Sequence, residues 1–254
     1  MARYGRLLSR SAIGYAERPM TQTVSQVEAL LRALTERRAQ PAGREWLART
    51  CAAAAGAPDR GALLEAFTAA TRRLGRGQLA PGDDETERLR AAGVEWPVAG
   101  WGADELGRAA LLATAAAHWL SADLEALVEE CYRQGDGAER QAVLRALPLL
   151  PAPERFLEIG VDACRSHIQP LFEAIACENP YAALHFPELN FNQMVLKALF
   201  TGVALARILG LEGRITPELG RMAAGYASER RAAGRSVPPD IGILTGGTLT
   251  GDHP

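Results

Sequence analysis

The chain has 254 residues, enough for one large domain or two small ones with a buried core. Its formal net charge of -2 lacks the strong positive field that non-specific nucleic-acid binding needs. With 48% hydrophobic and 23% charged residues it has the balance of a soluble globular protein, and no window of 18 apolar residues offers a transmembrane helix.

Residues 1–19 carry arginines but no continuous apolar run, so they do not form a signal peptide. They are read as an N-terminal extension, residues 1–20, expected to be flexible, with Met20 as an alternative start. Helical spacing then begins. Val24, Val27, Leu30, Leu31 and Leu34 follow the i, i+3, i+4, i+7 rule, and Pro41 follows the end. Trp46, Leu47, Cys51 and Ala54 predict a second helix that stops at Gly56. Asp59 is placed to cap a third, which carries Leu63, Leu64, Phe67, Ala70 and Leu74. A loop, a short polar helix over 84–92 and the irregular segment "GVEWPVAGWGA" come next. From Leu106 to Leu120 the apolar positions are mostly alanines, a surface that a neighbouring helix can approach closely. Ser121 is expected to cap the next helix, with Leu124, Leu127, Val128 and Cys131 inside.

Residues 134–180 read as three short helices separated by Gly-Asp-Gly, Pro-rich and His-Ile-Gln-Pro turns. A long helix is predicted from Glu188 to Leu209. Another runs from Thr216, its N-cap, through Pro217 to Ala232. The tail over 235–254 has no helical period and is expected to be irregular, docking through Val237 to Leu244. No run alternates as a strand does. The class is therefore all-α, with 21–234 read as a single domain: an irregular antiparallel helix bundle or an α-solenoid of HEAT-like stacked helix pairs. No fixed-period repeat is visible.

Cys51, Cys131, Cys164 and Cys177 are scattered with no CxxC pair, which predicts buried free thiols in a reducing, cytoplasmic setting. Cys164 and His167 lack a third ligand, so no metal is expected, and no phosphate loop or other cofactor motif is present.

Chemical variety collects in "ENPYAALHFPELNFNQMVLKALF", Glu178 to Phe200. Asn190, Gln193, Lys197 and Thr201 share one stripe of the helix, opposite an apolar arc containing Phe191, Val195, Ala198 and Leu199. In one reading Asn190 caps the helix and Gln193 completes a capping box. In the other, Asn190, Gln193 and Lys197 line a polar groove. Lys197 is the single lysine in a chain that otherwise writes its cations as Arg. Asn192 falls inside the apolar arc and is expected to bond the backbone of the preceding loop. That loop carries Glu178, Asn179, Tyr181, His185 and Glu188. His185 with the two glutamates is a candidate acid–base set, against a structural role in loop hydrogen bonding.

The same segment, preceded by "RFLEIGVDACRSHIQPLFEAIACENP" and followed by "YASERRAAGRSVPPDI", resembles the EboA family over Leu144 to Ile241. The N-terminal half is similar only in being helical and rich in Leu and Ala. The resemblance implies an all-α bacterial protein working beside secondary-metabolite enzymes, including a prenyltransferase and sugar-type enzymes. It brings no catalytic residues with it.

Three functions are weighed. The favoured one is a non-enzymatic adaptor or metabolite-handling protein, whose partners are proteins or a small metabolite of the same gene cluster. Its candidate ligand-binding residues are Glu178, Asn179, Tyr181, His185, Glu188, Asn190, Gln193 and Lys197. The alternative is a small-molecule enzyme using His185, Glu188, Glu178, Tyr181 and Lys197. The third, peripheral membrane association, has no strongly basic amphipathic helix behind it.

Overall fold

The structure, a computed structural model, describes residues 20–78, 80–98 and 100–246. The N-terminal extension expected over 1–19 and the end of the tail lie outside these. The described chain is all-α, with thirteen α-helices, four 3-10 helices and no strand; a lone bridge joins Gln78 to Gly102. Its contacts divide it into two compact units that meet in sequence between Ile175 and Ala176.

The first unit opens with α1 (Met20–Arg38), α2 (Pro41–Gly56) and α3 (Arg60–Leu74). Val24, Val27, Leu31 and Leu34 of α1 are buried, as are Leu47, Cys51 and Ala54 of α2. Asp59 caps α3 by accepting from the Ala62 N–H at 3.0 Å. α4 (Asp83–Ala91) is short, and α5 (Ala103–His118) is the centre of the unit, packing against α1, α2, α3 and α7 (Gly137–Ala146). From Ala103 to Ala115 its alanines and Gly107 are buried on every side, so helix axes come close. This is the position of a bundle's central helix. Trp119 closes it by donating its indole N–H to the Ala54 carbonyl of α2 at 2.8 Å.

α6 (Ser121–Gln134) departs from expectation at its start. Ser121 is the first helical residue, and Leu120 occupies the cap position without a side-chain bond. The Ser121 hydroxyl instead accepts from Arg155 at 2.7 Å, tying α6 to the 3-10 turn Pro153–Phe156. α8 (Leu157–Arg165) and α9 (Gln169–Ala176) follow. All four cysteines are free thiols. Cys51, Cys131 and Cys177 are buried, and burial pushes the Cys131 thiol up to about 12.

The second unit contains α10 (Tyr181–His185), α11 (Glu188–Thr201), 3-10 turns at Leu205–Arg207 and Leu211–Arg214, α12 (Pro217–Ala232) and α13 (Ile241–Thr245). The helix predicted to reach Leu209 ends at Thr201. Gly202 adopts φ 74. Val203 N–H bonds the Ala198 carbonyl at 2.9 Å and Gly202 N–H the Leu199 carbonyl, which is the Schellman stop. α12 begins as its sequence predicts, with the Thr216 hydroxyl accepting from the Leu219 N–H at 3.2 Å and Pro217 in the first turn. Within the tail expected to be irregular, α13 is helical and docks on α12 through buried Ile241 and Leu244. No described helix is long and apolar enough to cross a membrane.

Candidate functional site

The segment from Glu178 to Phe200 is built from α10, α11 and the turn before each. Glu178 adopts φ 50, a left-handed conformation that costs a non-glycine residue about 1–2 kcal/mol. It is held there by Arg207. The Glu178 N–H donates to the Arg207 carbonyl at 2.9 Å. The Arg207 guanidinium returns a fork to both carboxylate oxygens at 2.9 Å each. Asn179, buried, then turns the chain: its Oδ1 accepts from the Tyr181 N–H at 2.9 Å and starts α10. The Tyr181 ring is fully buried, 5.0 Å from the His185 ring and edge-on to Phe186 at 6.1 Å.

A second arginine secures the end of α10. Arg214 donates to the Ala183 carbonyl at 2.5 Å and to the Phe186 carbonyl at 2.8 Å, with its guanidinium 4.5 Å from the centre of the Phe191 ring. Glu188, in the first turn of α11, accepts from the Thr216 hydroxyl at 2.7 Å.

The pairing of Arg207, Arg214 and Thr216 with this junction has no local mark in the sequence: Thr216 is legible only as a helix cap, and the helix predicted to reach Leu209 runs straight through Arg207. The signal that marks their segment is the pair Gly202 and Gly210, both at positive φ.

Glu178 allows a direct test of this clasp. Glu178→Ala keeps the backbone strain and loses the ion pair, which at 39% and 41% side-chain exposure contributes about 0.2–1 kcal/mol. Glu178→Gly loses the same pair but relieves the strain. Glu178→Ala is therefore expected to be less stable than Glu178→Gly by about 1 kcal/mol, the reverse of the usual order in helices. Parallel urea titrations read the difference, and equal stabilities count against a strained Glu178.

Two expectations for α11 are corrected. Asn190 is its third residue, not its cap; Pro187 holds the cap position, and no side chain caps the helix. Proline suits that place because it has no N–H to leave unpaired. Asn192 does not tie down the loop. It is 1% exposed, and its Oδ1 has no hydrogen-bond partner among the described residues. The two arginines do that work instead.

The outward face of α11 is more apolar than its polar stripe suggested. Leu189 is 62% and Phe200 61% exposed. At 100° per residue, Leu189, Gln193, Leu196 and Phe200 fall within about 60° of one another. Gln193 is exposed, while Asn190, Leu196, Lys197 and His185 are half-buried. Leu184, exposed on α10, lies just before this helix. The Phe200 ring meets Tyr226 of α12 edge-on at 4.3 Å. The opposite arc of Phe191, Val195, Ala198 and Leu199 is buried as predicted.

The eight candidate residues thus divide. Glu178, Asn179 and Glu188 hold the junction together, and Tyr181 is core. His185, Asn190, Gln193 and Lys197 contribute to its surface. Two carboxylates of the suggested acid–base set are engaged by Arg207 and Thr216. Among the described residues no three His, Cys, Asp or Glu side chains gather closely enough to hold a metal ion.

No curated protein and no solved structure matches the chain. The model of one family, described as "Metabolite traffic protein EboA", matches residues 27–245. The match carries the likeness seen from Leu144 onward back through α2 to α7 and into α1. The chain belongs to the EboA family.

Proposed function

We propose that this protein is a non-enzymatic metabolite-handling or adaptor protein of a bacterial secondary-metabolite cluster, working in the cytoplasm. It binds a small metabolite or a partner protein through the outward face of α11. The carrying observation is the exposure of Leu189 and Phe200 on one stripe with Gln193, in the segment richest in polar side chains. Large apolar side chains in line on a helix, with an amide between them, suit recognition. The family's description as a metabolite traffic protein agrees with a carrier or an adaptor. Catalysis by His185, Glu188, Glu178, Tyr181 and Lys197 is supported less well. It requires Glu178 to leave Arg207 and Glu188 to leave Thr216, and Tyr181 is buried.

The test compares Leu189→Glu/Phe200→Glu with His185→Ala/Lys197→Ala in cells carrying the cluster. The first variant is expected to stay folded, at the cost of the Phe200–Tyr226 ring contact of about 0.5–1.5 kcal/mol, and to lose at least about tenfold in capture of a cluster protein or product, since each large apolar side chain fully buried contributes about 1.5–3 kcal/mol. The second is expected to leave every pathway intermediate present. Loss of an intermediate in the second variant, with its precursor accumulating, selects the enzyme.

A further inference from the structure

A cleft of about 470 Å³ lies in the first unit, between the start of α3 and the face of α6. Its size is that of small-molecule sites. Pro58, Leu64 and Trp119 are its apolar lining residues in a surface that is mostly polar, and Arg60, Asp123 and Glu130 supply the charge. Asp123 and Glu130 are seven residues apart on α6, so they stand about 10 Å apart along one face of it.

The charges do not balance. The Arg60 Nε lies 3.2 Å from one Glu130 oxygen, and the Gln134 amide donates to the other at 3.1 Å. The guanidinium is therefore already paired. The Asp123 carboxylate has no ion pair or hydrogen bond among the described residues. The Trp119 N–H is spent on the Ala54 carbonyl, which leaves the ring surface as its contribution. An anion would have to share Arg60 with Glu130 and meet a cleft whose three charged side chains sum to -1. A cation meets an exposed carboxylate with no protein partner among the described residues, beside Pro58, Leu64 and Trp119.

We propose that this cleft binds a small organic amine: one ammonium group against Asp123, and an apolar body against Leu64, Pro58 and Trp119. The inference is independent of the α11 face, and its failure leaves that reading untouched.

The experiment titrates the full chain with benzylamine, benzyl alcohol and benzoate, following the Trp119 indole N–H resonance. Benzylamine is expected to saturate and the other two not to. Asp123→Asn is expected to weaken benzylamine about fivefold, the upper range for an exposed charge pair. Gly61→Phe fills the cleft from an exposed position and leaves every charge in place. It is expected to weaken benzylamine as well. Unaltered melting temperatures verify that both variants fold. Equal binding of benzyl alcohol or benzoate, unchanged affinity in Asp123→Asn, or no saturable shift overturns the proposal.

Discussion

Replacing Arg108 by alanine is expected to destabilise the first unit by about 3–5 kcal/mol, the range for removing one partner of a buried ion pair. Arg108 is 1% exposed, in the middle of the central helix α5. Its Nε donates to the Phe67 carbonyl at 2.9 Å, one Nη to Asp104 at 3.1 Å and the other to the Thr71 hydroxyl at 3.0 Å. Thr71 passes its own proton to Asp104 at 2.7 Å, and the guanidinium sits 5.5 Å from the centre of the Phe67 ring. One side chain therefore pins α3 to α5. In Arg108→Ala, the Asp104 carboxylate stays 3% exposed with only Thr71 left as partner, and the missing side chain leaves a void. Most of the loss comes from that stranded charge. Arg108→Ala/Asp104→Ala is accordingly expected to be more stable than Arg108→Ala alone. Urea denaturation of the three proteins decides it. A single mutant within about 1 kcal/mol of the parent shows that the network is not what holds α3 in place.

The same network shows what a sequence conveys and what it hides. Asp104 and Arg108 are four apart, which on a helix reads as an ordinary surface pair. Only the burial of α5 turns them into core, and that burial is set by α1, α2, α3 and α7 arriving from elsewhere in the chain. Helices were legible wherever the local code is complete. Periodicity marked α1 to α3, Asp59 and Thr216 marked caps, and the alanine-rich stretch marked a closely packed helix. The end of α11 was not legible, because Val203, Leu205 and Ile208 are buried and prolong the apolar pattern beyond Gly202. Burial does not require helix, and one glycine at positive φ settled the matter.

The candidate site was half legible for the same reason. Its residues were visible as unusual letters, but their partners Arg207, Arg214 and Thr216 lie roughly thirty residues downstream and leave no periodic trace. An arginine-rich composition made those two arginines look ordinary. Leu189 and Phe200 carry no local mark of their exposure. Apolar letters on a helix read as core, and their exposure is decided by what α12 and the rest of the unit leave uncovered.

Arg214 is where this hidden long-range pairing is expected to matter most for the junction. α10 is five residues long, far below the length at which an isolated helix persists in water. Arg214 takes the Ala183 carbonyl within it and the Phe186 carbonyl just after it, and its guanidinium lies over the Phe191 ring of α11. Each hydrogen bond to a charged group contributes about 1.5–3 kcal/mol when buried. Arg214 is only half-buried, so Arg214→Ala is expected to lose about 2–3 kcal/mol in all. Hydrogen exchange reads the loss directly. The Leu184 and Phe186 amides bond back to Pro180 and Ala182 at 3.1 Å and close α10. Their protection is expected to fall about 30- to 150-fold, while amides in α3 and α5 are unaffected. Arg214→Lys is expected to recover less than half of it, because a point cation cannot fork two carbonyls and lie flat on a ring. If Leu184 and Phe186 stay protected in Arg214→Ala, the segment holds itself and the arginine is incidental. If they open and capture through the α11 face falls with them, the clamp keeps the binding surface in shape from a position outside it.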